Sequence, residues 1–471
     1  MAKQENLWET GFSPRPEEVV KVQGPRLIPE KQLPKELEEI DVENVSWQFF
    51  INNIFDMLRK LVRDFTGGNL GNCIKFWETM TSDEWILNTI QGMEIKFDKV
   101  PYQKSIPKGI TFNEAEHEIM DEEIKKMLSK NVIEVATDDN EQEFISNIFL
   151  RPKKDGSHRV ILNLKLFNEN VEKKHFKMQS LFSAIELMTE NCYMASIDWK
   201  DAYYSLPIHP RDRRFLRFYW NGIKYQYGVL PNGLASGPGD FTKVTKVIFS
   251  KLREKGFLNA SYLDDSLLAG EDIPDCKKNV MNTVAIGLKS GFVVHPEKSV
   301  LVPTQIIEYL GFILNSIHME VSLTERRKED LVKLCKNVYK QKMCTIQTIA
   351  QLVGKMVATI PGIKYAKIYY RVIDNEKNDA LKLNKGNYQG KMKLSEQAYE
   401  DILWWIQNIK TASNPIKIEP FSITIQTDAC DTGWGGVVKN HKTGGKFGDD
   451  ELKLHINQKE LLAVLLTLQS L

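Results

Sequence analysis

Ser261-Tyr262-Leu263-Asp264-Asp265-Ser266-Leu267-Leu268 places two adjacent carboxylates inside an otherwise apolar run of this 471-residue chain. The apolar residues on either side predict two short strands joined by a tight turn. Such a turn would hold Asp264 and Asp265 at the end of a hairpin that is anchored in a hydrophobic core. Because aspartate is a common turn residue, an isolated pair of this kind is more often a solvated hairpin tip than a metal site.

A third carboxylate favours a metal site over a solvated hairpin tip. The apolar run from Tyr193 to Asp198 (YMASID) ends in an acid, and Asp201 follows three residues later. Magnesium prefers oxygen ligands and keeps part of its water shell, so a phosphoryl-transfer site needs only one or two protein carboxylates per ion. We expect Asp198 and Asp264 to bridge two ions, with Asp265 as a weaker third ligand. Asp201 is expected to cap the following turn or to form a salt bridge with it.

The order of the motifs resembles that of reverse transcriptases. A basic loop with a downstream arginine, an Asp followed by Ala-Tyr, a Leu-Pro-x-Gly segment, the Tyr-Leu-Asp-Asp hairpin and a Tyr-Leu-Gly-Phe segment occur in the family's order. The residues of these motifs are similar to those of DIRS-type retrotransposons, which pair a reverse transcriptase with a tyrosine recombinase. This resemblance rests on HFKM at 175–178, SIDWKDAYY at 196–204, LPNGLAS at 230–236 and YLDDSLL at 262–268. The resemblance covers roughly residues 70 to 471.

This resemblance implies an α+β fold: a right-hand polymerase with fingers, palm and thumb, followed by a truncated ribonuclease H-like α/β domain. The length of the chain agrees with about three domains. The expected divisions are a flexible leader at 1–45, a helical lead-in at 46–110, fingers and palm at 111–320, a mostly helical thumb and connection at 321–415, and the incomplete N-terminal part of the ribonuclease H-like domain at 416–471.

The implied activity is RNA-directed DNA polymerisation on an RNA or DNA template with its primer. Two Mg²⁺ ions, or Mn²⁺ in their place, would align the primer 3′-hydroxyl with the α-phosphate of a dNTP. An RNA replicase is a second enzymatic reading, which Tyr203 and the ribonuclease-like tail disfavour. The non-enzymatic alternative is a catalytically inactive, nucleic-acid-binding relic of a mobile element, which the intact aspartates disfavour.

The segment 146–163 is predicted to form a hairpin with a basic turn. By resemblance, Lys153 and Arg159 fall where the family keeps the lysine and arginine that bind the nucleotide's triphosphate. Arginine grips phosphate oxygens bidentately whereas lysine acts as a point charge, and Lys154 is an alternative to Lys153. A soluble loop would carry the same residue types, so the family's order is what favours the nucleotide-binding role.

Further roles around the nucleotide come from the same resemblance. Tyr203 lies where the family keeps a bulky ring that leaves no room for a 2′-hydroxyl, although Tyr203 or Tyr204 must pack in the palm. Asn232 and Gly233 belong to a backbone-dense turn beside the nucleotide, which leads into a helix from about residue 239 to 255. More familiar retroviral members carry Gln or Phe in place of Asn232, whose amide is shorter than that of Gln.

Beyond the palm, Leu310, Gly311 and Phe312 fall in the strand pair that steadies the primer's 3′ end in the family. A plain strand with a glycine bulge is the alternative. The pattern then becomes helical from about residue 323 to 411, with Thr345 and Ser395 as N-caps. Its expected packing residues are Leu403, Trp404, Trp405 and Ile406.

The last segment resembles the start of a ribonuclease H domain, with Asp428 and Glu460 as its first two metal ligands. Asn457-Gln458-Lys459-Glu460 also has the spacing of a helix capping box, which would give Glu460 a purely structural role. Two later acids that the family needs are absent, so negligible hydrolysis of an RNA strand is expected. The segment 431–433 (DTG) matches the aspartic protease signature, but no second strand framework accompanies it and we reject that reading.

Whole-chain properties exclude several classes of protein. A net charge of +1 argues against a chain coated in positive charge, so a nucleic-acid path must be local. The six cysteines are scattered without a Cys-x-x-Cys pair, which favours a reducing intracellular compartment, cytoplasm or nucleus, over a disulfide framework. The first residues lack an apolar signal core and no run approaches membrane-spanning length, so a soluble, non-secreted protein is expected.

Overall fold

The computed structural model describes residues 46–138, 142–153, 156–416 and 423–470. The chain divides into two compact units, Met1–Asn414 and Pro415–Leu471. This division lies beside residue 416, where the ribonuclease H-like segment was expected to begin. The expected leader at 1–45 and the alternative triphosphate ligand Lys154 fall outside the described residues.

The first unit mixes helices and strands throughout. Its helices are α1 (Trp47–Arg63), α2 (Ile74–Met80), α3 (Glu84–Gln91), α4 (Glu114–Ser129), α5 (Leu181–Ile185), α6 (Gly237–Glu254), α7 (Ile273–Lys289), α8 (Glu325–Lys340), α9 (Ile346–Thr359), α10 (Arg371–Leu383) and α11 (Glu396–Asn408). Its strands are β1 (Ile133–Val135), β2 (Ile148–Pro152), β3 (His158–Leu162), β4 (Tyr193–Asp198), β5 (Arg217–Trp220), β6 (Ile223–Tyr227), β7 (Leu258–Tyr262), β8 (Asp265–Gly270), β9 (Val300–Thr304), β10 (Ile306–Tyr309), β11 (Phe312–Asn315), β12 (Glu320–Leu323), β13 (Cys344–Thr345), β14 (Lys391–Met392) and β15 (Ser413–Pro415).

The central sheet has the strand order β7-β8-β4-β9, and its neighbouring strands are antiparallel. Helices α6 and α7 pack against it. Trp199, which follows β4, is 1% exposed and lies under α7. A Cβ on Gly287 of α7 would come within 2.2 Å of the indole ring, so only glycine permits this close helix–sheet approach.

Helix α1 begins at Ser46, whose side chain accepts a hydrogen bond from Phe49 N. It buries Phe50, Ile54 and Leu58, at the helical spacing that the sequence predicts. The expected lead-in at 46–110 is helical up to Gln91, and the next helix begins at Glu114. Pro101 and Pro107 disfavour a helix in the second half of the segment between these two helices.

The hairpin predicted at 146–163 is confirmed. Strands β2 and β3 pair antiparallel, from Ile148 opposite Leu162 to Pro152 opposite His158. A separate sheet has the strand order β1-β6-β5, and its strands come from before and after this hairpin in the chain. The long helix expected after the Leu-Pro-x-Gly turn is α6, which begins two residues earlier than the pattern indicates.

The helical segment from α8 to α11 confirms both predicted caps, since Thr345 and Ser395 accept hydrogen bonds from the backbone of α9 and α11. The packing prediction for Leu403 is wrong. Its side chain is 36% exposed, whereas Ile402, Trp405 and Ile409 are buried. A helix turns about 100° per residue, so four consecutive apolar residues cannot share one face. Trp404 instead stacks on Tyr369, with ring centroids 4.0 Å apart.

A second sheet of the first unit has the strand order β10-β11-β12-β15. Strand β15 comes from far along the chain and covers the edge of β12. Ser413 Oγ donates to Glu320 Oε2 at 2.6 Å, and Asn414 Nδ2 donates to the Pro361 carbonyl at 3.1 Å. These bonds fasten the last residues of the unit to its body.

The second unit contains β16 (Ile425–Ala429), β17 (Gly433–Val438), β18 (His441–Lys446) and α12 (Ile456–Gln469). The strands form a sheet in that order, and α12 packs on β16 and β17. The capping box predicted for Asn457 and Glu460 is wrong. His455 is the N-cap and Gln458 returns its side chain to the His455 N–H, so Glu460 takes no part in capping.

Across the described segments of both units, no helix combines the length and apolar character that crossing a bilayer requires.

Candidate active site

The predicted aspartate hairpin is confirmed. Tyr262 pairs with Asp265 across β7 and β8, so Leu263 and Asp264 form a two-residue turn. Leu263 has a φ of 54°, in the left-handed region that bulky residues rarely adopt. Such backbone strain persists where the surrounding structure fixes it, and it is common at functional sites. The strained turn leaves Asp264 exposed at the tip.

Asp198 and Asp265 are direct partners in the antiparallel pairing of β4 with β8. Side chains of directly opposed residues extend from the same face of a sheet, so the two carboxylates lie side by side. Both line a cleft of about 710 Å³, to which Lys298 also contributes. The sequence places these acids far apart, and the strand register brings them together.

The electrostatics of this pair indicate uncompensated negative charge. Burial raises the pKa of Asp198 to about 6, with a further contribution from Asp264. Burial also raises the pKa of Asp265 to about 6, reinforced by Asp264 and Asp198. Lys298 opposes both shifts, with its Nζ 4.0 Å from Asp198 Oδ2. Protons or a cation must therefore offset the charge that these three acids share.

The carboxylates fit a partly hydrated divalent cation. Within the described chain, no three Asp, Glu, His or Cys side chains form a ready-made cage for a metal ion. Magnesium does not need one, because water and substrate phosphate oxygens complete its shell. The cleft is lined by Asp198 and Asp265 rather than by the exposed Asp264. Asp264 also acts electrostatically on Asp198, so which of the two hairpin aspartates shares a metal ion with Asp198 remains a prediction.

Backbone hydrogen bonds fix Asp198 from a segment that sequence reasoning did not single out. Asp198 N donates to Ser299 Oγ at 3.0 Å, and His295 N donates to the Asp198 carbonyl at 2.8 Å. The backbone N–H of the next residue, Trp199, donates to the Asp264 carbonyl at 2.9 Å. This hydrogen bond connects the end of β4 to the hairpin turn. No local sequence motif marks Ser299, because its partner lies 101 residues away.

Asp201 forms salt bridges, as expected, but not with the turn that follows it. Its carboxylate lies 3.2 Å from Lys200 Nζ and 3.5 Å from Lys130 Nζ. Burial acts to raise the pKa of Asp201, but the two lysines outweigh it and the net pKa is lowered. Its side chain makes no helix-cap hydrogen bond. Asp201 is therefore a structural anion beside the site.

The two adjacent tyrosines have different environments. The Tyr203 ring packs on Phe241 with centroids 4.9 Å apart. Burial raises the pKa of Tyr203, and the nearby Asp264 carboxylate raises it further. Burial raises the pKa of Tyr204 to about 12, and its hydroxyl is hydrogen-bonded to the Asn232 side chain. Both rings are therefore packed in the palm, and Tyr203 is the one that lies near the Asp264 carboxylate.

The turn of Asn232 and Gly233 is held by Asn168, a residue that the sequence did not indicate. Asn168 Nδ2 donates to the Gly233 carbonyl at 2.8 Å, and its Oδ1 accepts from Ala235 N at 2.9 Å. Gly233 has a φ of 100°, which explains the need for glycine. Because Asn232 bonds Tyr204 and Arg159 acts electrostatically on that hydroxyl, Arg159 and Asn232 share one neighbourhood.

Lys153 comes directly after the last paired residue of the β2–β3 hairpin. It follows β2 as an exposed residue, and its backbone N donates to the Ser157 carbonyl at 2.7 Å. Arg159, on the opposite strand, is exposed as well. The roles of both side chains as triphosphate ligands remain predictions.

The predicted primer-binding residues surround a second tight turn. Tyr309 pairs with Phe312, and both Leu310 and Gly311 have positive φ, 48° and 76°. Two positive values characterise the type I′ turn of a hairpin, so the glycine-bulge alternative is wrong. Leu310 and Gly311 line the same cleft as Asp198 and Asp265. Phe312 is 5% exposed and belongs to the core beneath the turn.

The second unit places its predicted ligands on contacting elements. Asp428 lies in β16 opposite Gly435 and is exposed, and Glu460 lies in α12, which packs on β16. No measured contact joins the two carboxylates within the described residues. Their role as ribonuclease H-like metal ligands therefore remains a prediction.

Residues 151–314 match the family model for reverse transcriptase (RNA-dependent DNA polymerase). An enzymatic polyprotein of Cassava vein mosaic virus is 24% identical over 364 residues, which cover 74% of this chain and 53% of that polyprotein. The Gag-Pro-Pol polyprotein of squirrel monkey retrovirus is 28% identical over 185 residues, 37% of this chain and 10% of the polyprotein. The chain therefore spans about half the length of the first relative and far less of the second.

Solved structures share the fold. The foamy viral protease-reverse transcriptase in complex with dsDNA aligns with a TM-score of 0.59 at 16% identity, over 88% of this chain and 85% of that chain. The dRH form of the same foamy viral protein with ds DNA aligns with a TM-score of 0.59 at 15% identity, over 89% and 72%. Identity at this level establishes the α+β polymerase fold and nothing further.

Proposed function

We propose that this chain, which carries a reverse transcriptase domain like those of retroviral and pararetroviral polyproteins, is an RNA-directed DNA polymerase. It would extend a primer 3′ end with dNTPs. The observation that carries the proposal is one cleft that joins Asp198 and Asp265 to the Leu310–Gly311 turn. A polymerase must hold a strand terminus within reach of its metal ligands, and this cleft offers both.

The reaction is nucleotidyl transfer at the aspartate cluster. Two Mg²⁺ ions, or Mn²⁺ as a substitute, held by Asp198, Asp264 and Asp265 would activate the primer 3′-hydroxyl and neutralise charge on the pyrophosphate. The protein's own contribution is positioning, since hydrogen bonds hold both the backbone N–H and the backbone carbonyl of Asp198. Lys298 offsets part of the carboxylate charge from the cleft wall.

The incoming nucleotide would lie against residues on the other side of the hairpin. Tyr203 would exclude a 2′-hydroxyl, which its packing on Phe241 and its proximity to Asp264 support. Arg159 and Lys153 would bind the triphosphate. Asn232 and Gly233 would form the wall of the pocket, because Asn168 and Tyr204 hold this turn in place.

The alternative function, an inactive nucleic-acid-binding relic, is not favoured. Loss of activity would leave no constraint on paired acids, yet Asp198 and Asp265 face one cleft. The residues of the sequence motifs further support a DIRS-type retrotransposon as the source. A tyrosine recombinase reading frame beside the coding sequence would agree with that origin, and an integrase frame in its place would contradict it.

Primer extension on poly(rA)/oligo(dT) with Mg²⁺ or Mn²⁺ tests the activity. We expect the wild type to extend the primer and Asp198→Asn and Asp265→Asn each to abolish extension. Asp330→Asn, which removes an exposed carboxylate from α8, should extend normally. Binding of the template without extension by the wild type would favour the relic instead.

A further inference from the structure

Arg327 connects the first thumb helix to the turn at the edge of the cleft. It lies in the first turn of α8, and its Nη1 donates to the Gly311 carbonyl at 3.2 Å. Its guanidinium carbon lies 4.5 Å from the centroid of the Phe312 ring. A Cβ on Gly311 would come within 3.2 Å of the Arg327 Cζ and Nε, so the guanidinium packs closely on this turn.

The charge of Arg327 is poorly compensated by the protein. A helix N-terminus carries partial positive charge and favours anions, so a cation in the first turn is electrostatically misplaced. Burial lowers the pKa of Arg327, and only the more distant Glu308 opposes this shift. Along the described segments, no carboxylate forms a salt bridge with the guanidinium. A half-buried arginine without such a partner indicates an external anion.

The position of Arg327 identifies that anion. The guanidinium lines the cleft that Asp198, Asp265 and Lys298 also line. One N–H is used on the Gly311 carbonyl, and the planar guanidinium has four further donors for phosphate oxygens. A primer whose 3′-hydroxyl reaches the aspartates must place its terminal phosphodiesters along this cleft. We propose that Arg327 binds a backbone phosphate at the primer's 3′ end while it holds the Leu310–Gly311 turn.

This inference rests on the proposed polymerase function and adds a binding residue to it. Arg327 lies on the helix that follows the second sheet, so the contact would link the thumb to the primer terminus. The same chemistry could instead serve a phosphate of the incoming dNTP. That second possibility is an outcome of the test below, because the two phosphates belong to separable ligands.

The experiment measures equilibrium binding of a labelled primer–template duplex as a function of salt. For Arg327→Met we expect about tenfold weaker binding, and the slope of log K against log salt should fall by about one, as for one lost phosphate contact. Arg326→Met removes the same charge from the neighbouring exposed residue and should leave the slope unchanged. Arg327→Lys should recover the slope but not the full affinity, because lysine lacks the planar fork.

A second measurement uses the unaltered protein. Primers that carry an uncharged methylphosphonate at one of the last linkages should bind about tenfold more weakly at a single position. Combining that primer with Arg327→Met should cause no further loss, because both changes remove the same contact. The wild-type measurement needs no variant, and the combination can use Arg327→Lys if Arg327→Met does not fold.

Two results would overturn the assignment of Arg327. Equal affinity for every methylphosphonate primer would show that no terminal phosphate is bound there. An Arg327→Met enzyme with a raised KM for dNTP and an unchanged duplex affinity would assign the contact to the nucleotide. Failure of the wild type to extend any primer is a separate result, which would instead remove the polymerase function on which the inference depends.

Discussion

At the scale of single residues, the aspartate pair destabilises the protein that contains it. The pKa of Asp265 is about 6 in the folded chain, above the ordinary aspartate value of 3.8. A group whose pKa is raised on folding contributes stability below its unfolded pKa, and this contribution is lost as the pH rises through the folded value. Near neutral pH the folded, metal-free protein therefore bears the full penalty of the buried charge.

We predict that Asp265→Asn stabilises the metal-free protein near neutral pH by about 2 kcal/mol. The gain should vanish below about pH 4, where the wild-type carboxyl is protonated in both states. Denaturant unfolding in the presence of EDTA measures it. The matched control Asp330→Asn should show no such pH-dependent gain, and an Asp265→Asn protein less stable than wild type at neutral pH would contradict the prediction.

Tyr203 gives a second prediction at this scale. Replacing the ring by a smaller side chain, Tyr203→Val, should open space for a 2′-hydroxyl and raise ribonucleotide incorporation relative to dNTP by roughly tenfold or more. Competitive primer extension measures the ratio. Tyr219→Phe is the control, since Tyr219 is an exposed tyrosine outside the cleft and its change should not alter sugar discrimination. Unchanged discrimination between ribonucleotides and dNTPs in Tyr203→Val would contradict the role of Tyr203 in excluding the 2′-hydroxyl.

At the scale of elements, the segment after α7 positions the end of β4. His295 and Ser299 hold both backbone groups of Asp198, and Glu297 between them lies 3.1 Å from Arg59 of α1. The exposed Arg59–Glu297 pair contributes little to stability. The Ser299 hydroxyl is different, because removing it leaves the Asp198 N–H without its acceptor.

We therefore predict that Ser299→Ala lowers kcat for primer extension by about tenfold and increases the Mg²⁺ concentration needed for half-maximal rate. Ser299→Thr retains the hydroxyl and should remain close to wild type. Titration of Mg²⁺ at saturating primer and dNTP separates this positioning effect from general loss of fold. A normal Mg²⁺ requirement in Ser299→Ala would show that the hydrogen bond does not position Asp198.

The sequence predicts elements better than it predicts their contacts. The aspartate hairpin, the strand that ends at Asp198 and the N-caps at Thr345 and Ser395 follow from local patterns, and all are confirmed. Which acid faces the cleft depends on register, because a slip of one residue turns every side chain to the other face. The sequence alone therefore could not show that Asp265 lies directly opposite Asp198.

Contacts between distant segments left no local signal. Ser299 and Asn168 act on backbone groups 101 and 65 residues away, and their residue types are common in any loop. Arg327 appeared only as one of many basic residues in a helical segment. The capping box of α12 was misplaced because histidine is an unusual N-cap, although His455 with Gln458 forms the box.

At the scale of the whole molecule, every residue that lines the aspartate cleft lies between residues 196 and 327, inside the first unit. We predict that a chain ending at residue 416 extends primers at a rate within about twofold of the full chain, since no catalytic or cleft-lining group is removed. Side-by-side primer extension measures this. Loss of extension in the shortened chain would show that the second unit supplies part of the polymerase site.

The residue at which the shortened chain ends matters because of strand β15. Ser413–Pro415 pairs along β12 and fills the hydrogen-bonding edge of its sheet. A chain cut before residue 413 would leave the β12 backbone donors and acceptors open to strands of other molecules. Self-association would then mask an intact catalytic centre, so an insoluble short fragment would report an uncovered sheet edge rather than a missing catalytic group.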